Sequence, residues 1–451
     1  MTDKTLDDIL VQLRGALEQN NLTGAVSIIE ALDSPDQADL FYELDDEEQV
    51  ALLPELDPAD SADILEELDD VHAAELMVAL SPEDAIRIVD EMEPDEVADV
   101  LNTVTPEQAE ILLAGMEDAD EIRPLLLHPD DSAGGLMTSE FLALRRRMTA
   151  GDAIKAIQEW KPKRELIYYL FVIDRYQTLS GIVNLRELIV ADPNTRLIDI
   201  METEIISVPV GSDQEHCAYL MARYDLLSLP VVDENKKLLG VITIDDIVDV
   251  LEEEATEDIQ RFGGAEPLPI DRSYLDTSVF VIARTRVSWL LLLFVTESLT
   301  GTVLRHFEHQ LQAAVALSFF VPLLIGTGGN AGSQTTSTII RALAVGDITL
   351  RDGLHTFWHE LRTGLLLGLC MAVIAYLRAL SWDSGQYMAL TVSLTIFILV
   401  VWSNSLGALL PLLATWLKID PSVVSGPVMS TLVDATGLFI YFTLASIILG
   451  I

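Results

Sequence analysis

The chain ends on Pro421-SVVSGPVMSTLVDATGLFIYFTLASIILG-Ile451, thirty-one residues with a single charge, Asp434. A bilayer core takes roughly 20 apolar residues at about 1.5 Å rise each, so this stretch reads as a membrane-spanning helix. Counted from Pro421, Asp434 lies about 20 Å up that helix. A carboxylate at that depth costs roughly 2.5–3.5 kcal/mol on insertion scales. It must face a cavity, an ion or a partner helix. No Lys or Arg lies in the core of any apolar stretch to pair with it, and a mobile cation is the simplest counter-charge. A protonated or hydrogen-bonded Asp joining helices is the alternative.

Four more apolar stretches precede it, at 287–304, 311–325, 363–377 and 384–417, the first interrupted by Glu297. Five spans are therefore predicted. Arg284 and Arg286 precede the first, and Arg341, Arg351, Arg362 and Lys418 fall in loops on the same side, against Arg305 and Arg378 on the other. That bias places the N-terminus in the cytosol and the C-terminus outside. Glu297 lines the path, faces an outer vestibule or bonds another helix.

A second polar feature is Pro322-Leu-Leu-Ile-Gly-Thr-Gly-Gly-Asn-Ala-Gly-Ser-Gln334. Its glycines each destabilise a helix interior by about 1 kcal/mol, yet they let backbones approach closely in a membrane. Asn330, Ser333 and Gln334 add oxygen ligands. Tight helix packing, with a cytoplasmic helix end, and a lining role are compatible readings.

Net charge is −45 although half the residues are hydrophobic. Residues 287–451 carry −2, which leaves −43 on residues 1–286. Nucleic-acid binding needs a basic surface, and this balance excludes it. Two distant cysteines, Cys217 and Cys370, exclude a disulfide scaffold and a Cys/His zinc cluster. No phosphate-binding loop, nucleophile–base pair or metal-hydrolase motif supports an enzyme. The first ten residues are polar, unlike a signal peptide.

The acidic half has two parts. Across 40–116 an apolar anchor recurs every twelve residues, at Leu44, Leu56, Leu68, Leu80, Met92 and Val104. Two positions later stand Asp46, Pro58, Asp70, Pro82, Pro94 and Pro106, and six further on Leu52, Ile64, Leu76, Ile88, Val100 and Leu112. Asp, Ser or Thr before Pro marks a helix start. The pattern predicts stacked short helices, an α-solenoid, whose acidic faces are either simply solvated or cation-binding.

From about Asp131 the pattern becomes α/β. Leu170-Phe-Val-Ile-Asp174 with Gly181-Ile-Val-Asn184 repeats 59 residues later as Leu229-Pro-Val-Val-Asp233 with Gly240-Val-Ile-Thr243. Met137-Thr138 and Met201-Glu202 head the two units. This resembles a tandem pair of CBS (cystathionine-β-synthase-type) domains, which implies a regulatory role, often through adenine nucleotides. Thr243 and Asp246 match the ribose and phosphate contacts of such domains. Asn184 and Glu187 depart from that pattern in the first unit. Beyond them, Asp246, Asp249, Glu253 and Glu257 share one helical face, with Glu254 and Asp258 beside them. Like charges so spaced destabilise a helix unless hydration or a divalent cation offsets them.

The whole layout is similar to the MgtE family of magnesium channels, on the residues Pro322 with Gly-Gly-Asn330-Ala-Gly-Ser-Gln334, and Pro427-Val-Met-Ser-Thr431-Leu-Val-Asp434-Ala-Thr-Gly437. The resemblance implies an α-solenoid N domain at 1–130, tandem α/β CBS domains at 131–254, a plug-like connecting helix at 255–285 and a five-helix all-α transmembrane pore domain at 286–451. It implies a homodimer of the inner (plasma) membrane with the pore on its axis, in contact with lipid and divalent cations. Asp434 would bind hydrated Mg²⁺ and Asp420 would stand at the cytoplasmic mouth. Asn330, Gly426, Pro427, Thr431 and Gly437 would line the pore, and some members carry Asn where this chain has Gly426. Asp246, Asp249, Glu253, Glu254, Glu257 and Asp258 would sense cytosolic Mg²⁺ and close the channel. ATP at Thr243 and Asp246 is the second ligand implied. An ion-coupled divalent cation transporter and a membrane-anchored nucleotide sensor are the rival expectations.

Overall fold

The computed structural model describes residues 3–19, 21–160, 169–267 and 277–450. They fall into two compact units, one running to Glu253 and one starting at Glu254. The division lies inside one helix, Ile244–Phe262.

In the first unit the twelve-residue period becomes helices at Asp46–Leu52, Pro58–Glu66, Asp70–Ala79, Pro82–Val89, Pro94–Thr103 and Pro106–Gly115. Each begins on the residue two after its apolar anchor. Asp45 caps the first by accepting from the Glu48 amide at 2.9 Å while Glu48 reaches back to the Asp45 amide. Asp57, Asp69 and Ser81 cap the next three by accepting from the amides of Ala59, His72 and Asp84. Such caps satisfy amides that the first helical turn leaves orphaned. Alternate helices pack on one another, so the array forms two layers. Leu52, Ile64, Leu76, Ile88, Val100 and Leu112 are all buried between them. Burying one such side chain contributes roughly 1.5–3 kcal/mol.

Two three-stranded sheets follow. One joins β1 (Ala143–Arg145), β2 (Tyr169–Ile173) and β3 (Leu179–Asn184); the other joins β4 (Val208–Pro209), β5 (Ser228–Val232) and β6 (Leu238–Thr243). In each the first pair is parallel and the second antiparallel. Phe171 and Ile173 of one sheet pack with Leu238 and Val241 of the other. The strands β3 and β6 begin two residues before the glycines, which lie inside them and admit a crossing chain. A β-carbon on Gly240 would stand 2.6 Å from Met137, and one on Gly181 would stand 2.5 Å from the Met201 sulfur. Thr138 bridges to Val241 and Glu202 bridges to Ile182. The segment that heads each module therefore edges the sheet of the other. The core of the second module is continuous with that of the helical array.

Among its described residues the second unit has five apolar helical segments: span 1 Val279–His306, span 2 Val315–Ala344, span 3 Leu350–Ser381, span 4 Gln386–Trp416 and span 5 Gly426–Leu449. The five predicted spans are present, with shifted ends. The apolar stretch at 311–325 divides between a short helix Glu308–Ala313 and the start of span 2. Span 2 then runs as one helix from Val321 through the glycine-rich run to Ala344, so that run does not end a helix. Span 5 starts at Gly426 after a 3₁₀ turn, Pro421–Val423. Asp434 is thus eight residues, or about 12 Å, into its helix rather than the 20 Å counted from Pro421. The connecting segment expected over 255–285 lies partly at 268–276, outside the described residues.

Candidate functional site

The glycines of span 2 set the geometry of the membrane unit. A β-carbon on Gly328 would meet Val433 and Leu399, one on Gly329 would meet Ser430, and one on Gly332 would meet Met429. Gly437 presses on Leu399, and Gly407 of span 4 lies 2.8 Å (from its would-be β-carbon) from the Gly332 carbonyl oxygen. Spans 2, 4 and 5 thus approach backbone to backbone, which small residues permit in a membrane.

That packing holds Asp434 inside the bundle. The residue is 8 % exposed, and its Oδ1 has no hydrogen-bond partner among the described residues. The charged group acting on it is another acid, Glu297 of span 1, which is itself exposed. A buried carboxylate with an unpartnered oxygen and a second acid acting on it is a locus of negative potential. It suits a cation that keeps part of its water shell.

The other residues expected to line a pore do not share one environment. Asn330 is exposed on span 2. Thr431 is buried, and its hydroxyl donates to the Pro427 carbonyl of its own helix at 3.0 Å. Gly426 faces Phe262, Pro427 faces Gly264, and the Gly426 carbonyl accepts from Ser333 Oγ at 3.3 Å.

Asp420 stands just before span 5. Its carboxylate caps the 3₁₀ turn, accepting from the Ser422 amide at 2.8 Å and the Ser422 hydroxyl at 2.6 Å. It also accepts from Arg261, which pairs with Glu257 as well. Burial and the nearby Asp420 push the Asp258 carboxyl up, against the pull of Arg261 and Arg341.

In the first unit the acids gather where the helical array meets the second α/β module. Glu93, Asp95, Glu96 and Asp99, on or next to helix Pro94–Thr103, face Asp246 at the start of helix Ile244–Phe262. Burial first, then nearby acids, pushes Glu93 (by Asp246 and Asp245) and Asp99 (by Asp70, Asp130 and Asp246) up to about 8; burial, with Asp245 and Asp249 and against the Thr243 hydrogen bonds, pushes Asp246 to about 6. Asp95 and Glu96 are raised well above the carboxylate range for the same reasons. Asp95 is 5 % exposed and its Oδ1 has no partner among the described residues. Asp246 accepts from the Thr243 hydroxyl at 2.6 Å, and Asn184 Oδ1 accepts from the Arg186 amide at 2.9 Å, so both motif positions serve as helix caps. Asp249 lies near Glu67, while Glu253 accepts from Gln214.

The sequence reading places Asp246, Asp249, Glu253 and Glu257 on one helical face, with Glu254 and Asp258 beside them. The structure sorts them, Asp246 and Asp249 with acids of the helical array, Glu257 and Asp258 with Asp420 and Arg261. The partners Glu93, Asp95, Glu96 and Asp99 went unremarked in sequence. Their only local signal was a run of four acids in seven residues. Among the described residues no three His, Cys, Asp or Glu side chains form a ready metal cage.

Five apolar helices long enough to span a bilayer, with the buried carboxylate of Asp434 among them, in one chain with a strongly acidic N-terminal half, are the build of a multi-pass membrane protein. Residues 321–444 match the MgtE profile, a divalent cation transporter; 27–131 match the MgtE intracellular N domain; 133–194 and 197–253 match the CBS domain. The chain belongs to the MgtE family. It is 42 % identical over 329 residues to the magnesium transporter MgtE of Thermus thermophilus, covering 73 % of this chain and 72 % of that one. It is 33 % identical over 336 residues to the magnesium transporter MgtE of Bacillus subtilis, covering 74 % of each. Two solved structures resemble the soluble half, each with a TM-score of 0.51. The soluble part of a magnesium transporter is 32 % identical and covers 55 % of this chain and 99 % of that one. The cytosolic domain of the Mg²⁺ channel MgtE in complex with ATP is 35 % identical and covers 53 % and 99 %.

Proposed function

We propose that the chain is a magnesium channel, open when cytosolic magnesium is low and closed as it rises. The observation that carries the reading is Asp434, buried, unpaired at Oδ1 and accompanied by an acid instead of a base. Mg²⁺ favours octahedral oxygen coordination, dehydrates reluctantly and binds through one or two carboxylates with its waters retained. A second copy of Asp434 across a two-fold axis would supply the other carboxylate, which is the reason to propose a homodimer. Occupancy must stay weak enough for the ion to leave.

Closure is assigned to the acids that meet at Asp246. Without a cation, Glu93, Asp95, Glu96, Asp99 and Asp246 repel one another across the contact between helical array and α/β module. Magnesium binding there favours the compact arrangement by its differential affinity for it. Asp249, Glu253 and Glu254 extend this negative surface. ATP is proposed as a second ligand of the tandem modules, on the strength of the ATP-bound relative, with Thr243 and Asp246 as its contacts.

The test is magnesium uptake into liposomes holding the full chain, with and without Asp434→Ala. Uptake by the parent alone supports the reading. Equal uptake by both removes Asp434 from the path. A second reading, transport coupled to protons, is favoured by the proximity of Glu297 to Asp434. Flux that follows an imposed pH gradient would select it.

A further inference from the structure

The last turns of helix Ile244–Phe262 lie on the mouth of span 5, and the contact is held by a side chain of the protein itself. Arg261 donates Nη1 to Asp420 and Nη2 to Glu257. One guanidinium thus bridges a carboxylate of its own helix and one at the entrance to span 5. The planar fork of Arg suits such a double contact, and charge-assisted hydrogen bonds are the stronger kind. Asp420 is fixed for its part by Ser422.

The residues after Arg261 continue the contact. Phe262 lies against Gly426, where an added β-carbon would stand 3.6 Å from its ring. Gly264, with φ +76°, tucks under Trp289 of span 1 and against Pro427. At that φ and that spacing a side chain is excluded. Glu266 accepts from the Ser288 hydroxyl at 3.1 Å, and its amide donates to the Thr285 carbonyl at 3.3 Å. Four positions within six residues therefore reach spans 1 and 5 or the turn before span 5, and the ionic one is the only one of these carrying a full positive charge.

Charge arithmetic gives the contact its meaning. Glu257, Asp258 and Asp420 would leave three negative charges together, and a helix end bearing two of them should be repelled from Asp420. Arg261 lies among all three, with Arg341 near Asp258. We propose that Arg261 is a built-in counter-ion that holds the acidic helix on the mouth of span 5 without any metal, so that closure has a component independent of magnesium. This rests on the channel reading for its effect on flux, though not for the contact itself. Arg261 is a positioning residue; it acts through Asp420 and Glu257.

Amide exchange by mass spectrometry over 259–266, on the full chain in lipid nanodiscs with EDTA, tests the contact apart from transport. Arg261→Gln should speed exchange about tenfold, a modest figure because the pair is one-third exposed and partly screened. Asp420→Asn should do the same while keeping the Glu257–Arg261 pair, which separates loss of the mouth contact from loss of helix stability. Arg261→Lys should restore most of the protection. Unchanged exchange in Arg261→Gln, or in Asp420→Asn, overturns the proposal. Flux at nominally zero cytosolic magnesium should rise in Arg261→Gln. Faster exchange with unchanged flux would overturn the regulatory half. If the parent passes no magnesium at all, the channel reading fails and exchange still decides the contact.

Discussion

Gly328 of span 2 and Val433 of span 5 are packed so closely that a β-carbon on the glycine would stand 2.7 Å from a valine methyl. Asp434 is the next residue. The position of Asp434 inside the bundle thus depends on the absence of a side chain on the neighbouring helix.

Gly328→Leu and Gly332→Leu should therefore separate spans 2 and 5. Overpacking costs typically 1–3 kcal/mol, and more is expected here because Leu399 also closes the space at Gly328 and Met429 that at Gly332. Thermal unfolding of the purified protein in lipid measures this. Gly329→Ala, whose nearest contact is the Ser430 hydroxyl at 3.0 Å, should cost much less.

Asp434→Asn should abolish magnesium flux while leaving the fold intact, since the amide keeps the volume and removes the charge. Retained flux would locate the permeating ion elsewhere. Glu297→Gln is the companion, and under the channel reading it should reduce flux less than Asp434→Asn.

The acids at Asp246 predict an unusual pH dependence. Glu93 and Asp99 have folded-state values near 8, above their unfolded values of roughly 4. Between those limits the folded state holds more protons than the unfolded one, so stability falls as pH rises. In EDTA the contribution of these groups to the stability of the N-terminal half should be full at about pH 4 and fall steadily toward pH 8. Magnesium should remove the decline. A melting temperature flat with pH in EDTA would refute the repulsion.

Neutralising part of that cluster tests the gate. Glu96→Gln with Asp99→Asn lessens the repulsion and should keep the compact state populated without magnesium. Flux at low cytosolic magnesium should then fall. Unchanged flux would detach these acids from gating.

The solenoid offers a local check. Leu52→Ala should destabilise by about 2–5 kcal/mol, and Asp45→Ala by about 1 kcal/mol, read by denaturant unfolding.

Much of this was legible in sequence because it follows from periodicity. The helix starts from Asp46 to Pro106 fall on the positions the twelve-residue period gives, since Pro and the cap residues act locally. Asp434 stood out because a lone charge in an apolar run has no local excuse. What could not be read was contact between distant segments. Nothing in the sequence of Arg261 says that it meets Asp420, 159 residues away. Nor does the run Glu93–Asp99 announce that Asp246 lies opposite. Span ends also escaped, because Pro421 looks like a helix start and in fact begins a 3₁₀ turn.

The exchange of leading segments between the two α/β modules carries a consequence of its own. Met137 seals the module that ends in Thr243, and Met201 seals the one that precedes it. Neither can be excised, transplanted or unfolded alone without uncovering the sheet of its twin. Removing either module should therefore expose the sheet of the other, so the pair should come apart in one step although its sequence reads as two.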